Sequence, residues 1–130
     1  MSDIVNEYFK RFYPANWRDA EREFTTMLGG MERVRDCKVS NVFPAMEFAD
    51  GVTLSVQGHY GAYSQPRDDF AERYWQVECG YPSEPIEELK PYQDGDGDPC
   101  QSVYGYVPVE VVAAIIAKHG GLKPTTPEPR

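Results

Sequence analysis

The chain has 130 residues, 41% apolar and 13% aromatic, enough for one domain with a sizeable core and too apolar for a disordered chain. Its formal net charge of −8 disfavours direct contact with DNA or RNA, and no apolar run approaches the ~18 residues of a membrane-spanning helix. The N-terminus has no signal-peptide core, which makes the cytosol the expected location. Cys37, Cys79 and Cys100, odd in number and without metal-type spacing, read as reduced, partly buried thiols.

In chain order, Ser2 caps an expected helix through about Phe12, whose stripe is Ile4, Val5, Tyr8, Phe9 and Phe12. Pro14 ends it. Asn16 caps a second helix with Trp17, Ala20, Phe24, Met27 and Leu28 on one face, stopped by Gly29-Gly30. Residues 1–38 therefore read as a helical hairpin, although residues 31–38 are ambiguous between a short helix and a strand approach. From Val39 the period becomes two. Met46-Glu47-Phe48 and Val52-Thr53-Leu54-Ser55-Val56 flank Ala49-Asp50-Gly51. A two-residue Asp50-Gly51 turn would set apolar residues against polar ones. A three-residue turn with Gly51 left-handed pairs Phe48 with Val52 and Met46 with Leu54, which keeps one face apolar.

A third strand is expected over Tyr74-Trp75-Gln76-Val77-Glu78-Cys79, with Trp75, Val77 and Cys79 inward. Residues 86–89 amount to at most a short helical turn before Pro91, and residues 91–102 to a polar loop. Val103-Tyr104-Gly105-Tyr106-Val107 is a short strand, and Pro108 opens a broadly apolar helix over residues 108–119 that should lie on the sheet and stop at Gly120-Gly121. The expected fold is α+β: an N-terminal helical hairpin (1–38), a three- to four-stranded antiparallel sheet with one C-terminal helix packed on it (39–122), and a disordered tail (123–130).

The charge is unevenly placed. Residues 1–38 balance seven basic against seven acidic side chains, so all of the net charge lies beyond them. Glu84, Glu87, Glu88, Asp94, Asp96 and Asp98, opposed only by Lys90, put −5 into fifteen residues, a field that attracts basic protein surfaces. Asp94-Gly95-Asp96-Gly97-Asp98 resembles the start of a calcium loop, but Pro99 stands where that loop needs glycine and Gly105 where it needs a bidentate glutamate. A solvated acidic turn is the better reading, and no metal or cofactor is expected.

Residues 59–67 (His59-Tyr60-Gly61-Ala62-Tyr63-Ser64-Gln65-Pro66-Arg67) join two strands and are too long for a tight hairpin. Tyr60, Tyr63 and Arg67, with Trp75, are the residue types that dominate binding hot spots, because aromatics give contact area at low entropic cost and arginine adds a planar donor fork. An alternative is that the tyrosines cover the sheet edge while Arg67 pairs with Asp68 or Asp69. A Cys79–His59 nucleophile pair lacks an orienting third group, and His119, in the last turn of its helix, suits the helix dipole. No enzymatic site is expected.

The segments Phe48-Ala49-Asp50-Gly51-Val52-Thr53-Leu54-Ser55-Val56-Gln57, Tyr63-Ser64-Gln65-Pro66-Arg67, Trp75-Gln76-Val77-Glu78-Cys79-Gly80-Tyr81-Pro82-Ser83 and Val103-Tyr104-Gly105-Tyr106-Val107-Pro108-Val109-Glu110-Val111 occur in that order. Over residues 43–122 the chain resembles small accessory proteins encoded by bacteriophages and prophages. The resemblance implies an anti-defence role in the cytoplasm of a bacterial host. The expected function is a non-enzymatic inhibitor, of the anti-CRISPR kind, that binds a host protein complex with a basic surface. Its contacts would be Tyr60, Tyr63, Arg67, Glu84, Glu87, Glu88, Asp94, Asp96 and Asp98. Alternatives are a sponge for a nucleotide signal, holding its ligand beside Arg67, and a structural or assembly protein of the virion. A homodimer is left open.

Overall fold

The computed structural model describes residues 3–15, Trp17 and residues 41–123. Four antiparallel strands lie in the order β1-β2-β3-β4: β1 (Met46–Glu47), β2 (Thr53–Gln57), β3 (Gln76–Gly80) and β4 (Val103–Pro108). The first turn has the expected register, with Met46 opposite Leu54 and the Phe48 N–H bonded to the Val52 carbonyl at 2.9 Å. Gly51 sits at φ +92°, where a side chain is strained, which is why glycine closes this three-residue turn.

Alternation assigns the two faces of the sheet. Leu54, Val56, Val77, Cys79, Tyr104 and Val107 are buried, whereas Ser55, Gln57, Glu78 and Gly105 point to a half-covered polar face. Helix α1 (Ile4–Lys10) and helix α2 (Val109–Lys118) contribute to the core on the apolar side. Helix α2 follows β4 directly, with Pro108 at its N-cap, one place earlier than expected. Its far end is fixed to the first turn: His119 Nδ1 lies 2.5 Å from Asp50 Oδ2, and its ring stacks on Phe48 at 5.3 Å. Phe9 anchors α1, stacked on Phe43 at 4.3 Å and meeting Tyr74 edge-on at 5.5 Å. Truncating such a residue to alanine typically costs about 3–5 kcal/mol.

Several expectations need correction. Helix α1 is shorter than residues 2–12 and its N-cap is Asp3, whose carboxylate accepts a bond from the Asn6 side chain at 2.8 Å instead of capping the backbone. Phe12 and Tyr13 lie in the turn beyond it, still buried because their rings belong to the core. Apart from Trp17, the second helix of the hairpin, residues 31–38 with Cys37, and residues 124–130 of the tail lie outside the described residues. Trp75 points outward, 53% exposed, and Tyr74 is buried in its place. The strand starts only at Gln76. Before it, the Tyr74 N–H and C=O are both tied to the Asn6 side-chain amide at 2.7 and 2.8 Å, which turns the Tyr74 ring in and leaves Trp75 out. The turn at residues 86–89 extends as a 3-10 helix, Glu87–Tyr92, with Pro91 inside it, and a second 3-10 turn spans Pro99–Gln101.

The tyrosines divide by role. Tyr8, Tyr13, Tyr74 and Tyr104 are buried, and each hydroxyl donates to a main-chain carbonyl, of Pro44, Ala71, Asp68 and Pro99 respectively. Burial supplies the apolar gain while the hydroxyl satisfies a loop carbonyl, so these four rings tie loops to the core. Burial pushes the Tyr8 hydroxyl up to about 12, against the opposing charge of Arg11. Tyr60, Tyr63, Tyr81 and Tyr106 remain exposed.

Candidate binding groove

The groove begins with an irregularity in β4. Val77 pairs with Val107 and Cys79 with Tyr104, so two residues of β4, Gly105 and Tyr106, oppose the single Glu78 of β3. Strict alternation would send Tyr106 to the core beside Tyr104. The extra residue of this bulge turns Tyr106 outward and returns Val107 to the core. Tyr106 carries the cost as a left-handed backbone, φ +53°.

The connection from His59 to Arg67 is built onto that bulge. Its Tyr63 carbonyl accepts the Tyr106 N–H at 2.9 Å, Gln65 bridges to Gln76, and the Ser64 hydroxyl donates to the Pro66 carbonyl at 2.9 Å. Tyr63 covers Gly105 so closely that a Cβ on Gly105 would stand 3.1 Å from the Tyr63 Cβ. The Tyr63 and Tyr106 rings are 5.8 Å apart and tilted by 32°. The Arg67 guanidinium lies over the Tyr63 ring at 5.8 Å and forms no ion pair with Asp68 or Asp69. Asp69 instead accepts the Tyr60 N–H at 2.9 Å and the Asn41 side-chain amide at 3.0 Å. Beneath this group, burial raises the Glu78 carboxyl above its ordinary value, offset in part by the Tyr63 N–H and the charge of Arg67.

The acidic segment forms the opposite wall. After the 3-10 helix Glu87–Tyr92 the chain runs along the outer edge of β4, with Gln93 bridged to Tyr104 and the Asp94 N–H bonded to the Val103 carbonyl at 2.9 Å. Tyr63, Tyr92, Gln93, Asp94, Gly105 and Tyr106 thus line one open groove of about 320 Å³. The loop and the acidic stretch share a surface.

The expected contact residues have different fates. Tyr63 and Asp94 line the groove, and Arg67 supports it from behind the Tyr63 ring. Glu84 and Asp96 are exposed, while Glu87 lines a smaller cleft of about 160 Å³ with Ile86, Lys90 and Tyr104. Glu88 is engaged within the molecule, paired with Lys118 of α2 at 3.2 Å; its own main-chain N–H first, and then Lys118, hold its carboxyl below the ordinary range. Asp98 accepts the Cys100 N–H at 2.9 Å and so caps the second 3-10 turn. Tyr60 is exposed but does not line the groove. The expectation missed Tyr92, Gln93 and Tyr106. The one sequence signal was Gly105, a glycine inside a strand pattern, which marks a bulge or a close approach and here is both.

Cys79 is fully buried, and burial pushes its thiol far above its ordinary value, so it does not supply a thiolate. His59 Nδ1 accepts the Gly61 N–H at 3.0 Å, and burial holds its ring below the ordinary histidine value. Among the described residues no three His, Cys, Asp or Glu side chains converge as metal ligands, and no helix is long and apolar enough to cross a membrane. Comparisons with protein-family models, curated proteins and solved structures find no match to this chain.

Proposed function

We propose that the chain is a non-enzymatic, phage-type inhibitor that binds a host protein complex through the tyrosine-lined groove and the acidic strip beside it. The observation that carries this reading is the shared groove, in which Tyr63 of the loop meets Asp94 of the acidic segment across Gly105. A surface of this composition combines rigid aromatic contact area with a field that draws in a basic partner. The exposed Glu84, Glu87 and Asp96 supply long-range attraction, and the tyrosines supply the short-range contact. The partner chemistry is a basic protein surface of the sort that otherwise holds nucleic acid.

A nucleotide sponge ranks second. Its support is the pairing of Arg67 with an aromatic ring. A phosphate entering the groove, however, would face Asp94 on the wall, and like charges repel it.

Charge reversal separates the two readings. The triple variant Glu87→Lys, Asp94→Lys, Asp96→Lys leaves the Glu88–Lys118 pair intact and should retain the wild-type melting temperature. In a pull-down from a bacterial host it should lose the co-purifying complex, while Arg67→Ala should weaken capture only modestly. Undiminished capture by the triple variant removes the inhibitor reading. Tight binding of a nucleotide abolished by Arg67→Ala installs the alternative.

A further inference from the structure

Resting on the binding reading above, we propose that the groove is a receptor for a single arginine side chain on a protruding segment of the partner. Three features of the lining select this occupant. Tyr63, Tyr92 and Tyr106 line it, and tyrosine rings are flat and electron-rich, which attracts a planar cation. The rim carries Asp94, an exposed carboxylate able to receive a guanidinium fork, with the Gln93 side chain already committed to the Gly97 carbonyl and Ser102 hydroxyl at 3.0 and 2.9 Å. The floor is Gly105, whose missing side chain keeps the groove open against Tyr63.

The charges around the groove agree. Asp96, Asp98, Glu84 and Glu87 lie in the same acidic segment, and Lys90 is its only base. Arg67 shows that the Tyr63 ring already receives a guanidinium on one side, and Glu78 lies within reach of the Arg67 charge and offsets it. The Tyr63 and Tyr106 rings, 5.8 Å apart, are too close to sandwich a guanidinium between them. The incoming side chain therefore lies against the Tyr106 and Tyr92 side of the groove, with its terminal nitrogens towards Asp94. An ammonium fits less well, because it cannot stack flat on a ring while donating a fork to a carboxylate.

The test uses the full chain and two fluorescent nonapeptides, identical except that three arginines in one are three lysines in the other, with ADP as a third probe. The arginine peptide should bind about tenfold more tightly than the lysine peptide, and Tyr106→Ala and Asp94→Asn should each weaken it by about tenfold. Tyr81→Ala, on an exposed ring outside the groove, should leave it unchanged. Equal binding of the two peptides, insensitive to Tyr106→Ala, would reduce the effect to diffuse attraction by the acidic strip and overturn the proposal. Preferential binding of ADP overturns it as well. If the peptides are not discriminated but the host complex is still captured in a charge-dependent way, the arginine slot falls and the inhibitor reading stands.

Discussion

Tyr81 and Tyr106 sit at φ +52° and +53°, a left-handed backbone that costs a side-chain-bearing residue about 1–2 kcal/mol. Each is held there by its own N–H, which donates to the Ser102 carbonyl from Tyr81 at 3.0 Å and to the Tyr63 carbonyl from Tyr106 at 2.9 Å. The Tyr106 strain has a return, since it turns a ring into the groove wall. Tyr81, 58% exposed, lines a shallow depression of about 140 Å³ with Ser55, Gln57 and Glu78 on the same open face. Tyr81→Gly should stabilise the protein by about 0.5–1 kcal/mol, the relief of left-handed strain less the added freedom of glycine in the unfolded chain. Urea unfolding reads this as a higher midpoint at unchanged slope. A lower midpoint would mean that the Tyr81 ring contributes packing that outweighs its strain.

At the scale of elements, the connection from His59 to Arg67 behaves as a built part of the sheet. Its main chain is bonded to β3 and to the β4 bulge, Ala62 and Ser64 are fully buried, and His59 Nδ1 accepts the Gly61 N–H. That last bond requires a neutral ring. Burial, the main cause, sets the folded-state pKa of His59 below its ordinary value, against the nearby charge of Asp69. The unfolded chain therefore binds the proton more readily. The stabilisation is complete above the ordinary histidine pKa of about 6.5 and is lost as pH falls through the lower folded-state value. Thermal unfolding between pH 7 and pH 5 should show stability falling with pH, and His59→Gln should flatten that slope. An unaltered slope in the variant would assign the dependence elsewhere.

The whole molecule closes both edges of its sheet. Beyond α2 the chain returns along β1, with Ala49 N–H to Gly121 O and Lys123 N–H to Glu47 O, both at 2.8 Å, and a bridge from Phe48 to Leu122. The other edge, β4, is covered by the Gln93–Asp94 segment, bridged to Tyr104 and bonded to the Val103 carbonyl. Covered edges blunt strand-to-strand association. Truncation after Gly120 should uncover β1, lower the melting temperature and produce concentration-dependent association in gel filtration. Truncation after Lys123 should do neither. Monomeric behaviour of the shorter form would show that the two-residue β1 is too short to template a partner.

The elements differ in how far local pattern could reveal them. The Ala49-Asp50-Gly51 turn was legible because register and glycine chemistry both act over a few residues, and one pairing alone keeps Met46, Phe48, Val52 and Leu54 on a common face. The apolar run of α2 was legible for the same reason, as were Val77 and Cys79 at period two. Trp75 was misjudged because its direction depends on the Asn6 amide, 68 positions from Tyr74, which holds the chain before the strand starts. Tyr106 was missed because a bulge is a count of residues across two strands, and alternation within one strand carries no trace of it.

By itself the sequence determined the antiparallel strands, the first turn and its register, the closing helix, and the existence of an aromatic loop and an acidic stretch. These follow from periodicity, propensity and charge, which are properties of neighbouring residues. Only the tertiary structure decided that loop and acidic stretch meet, which tyrosines serve the core, and that Glu88 and Asp98 are spent inside the molecule. The meeting of loop and acidic stretch depends on which chain segments are bonded to β4. The Asp94 N–H donates to the Val103 carbonyl and the Tyr106 N–H to the Tyr63 carbonyl, joining residues some 10 to 40 positions apart where local patterns carry no information.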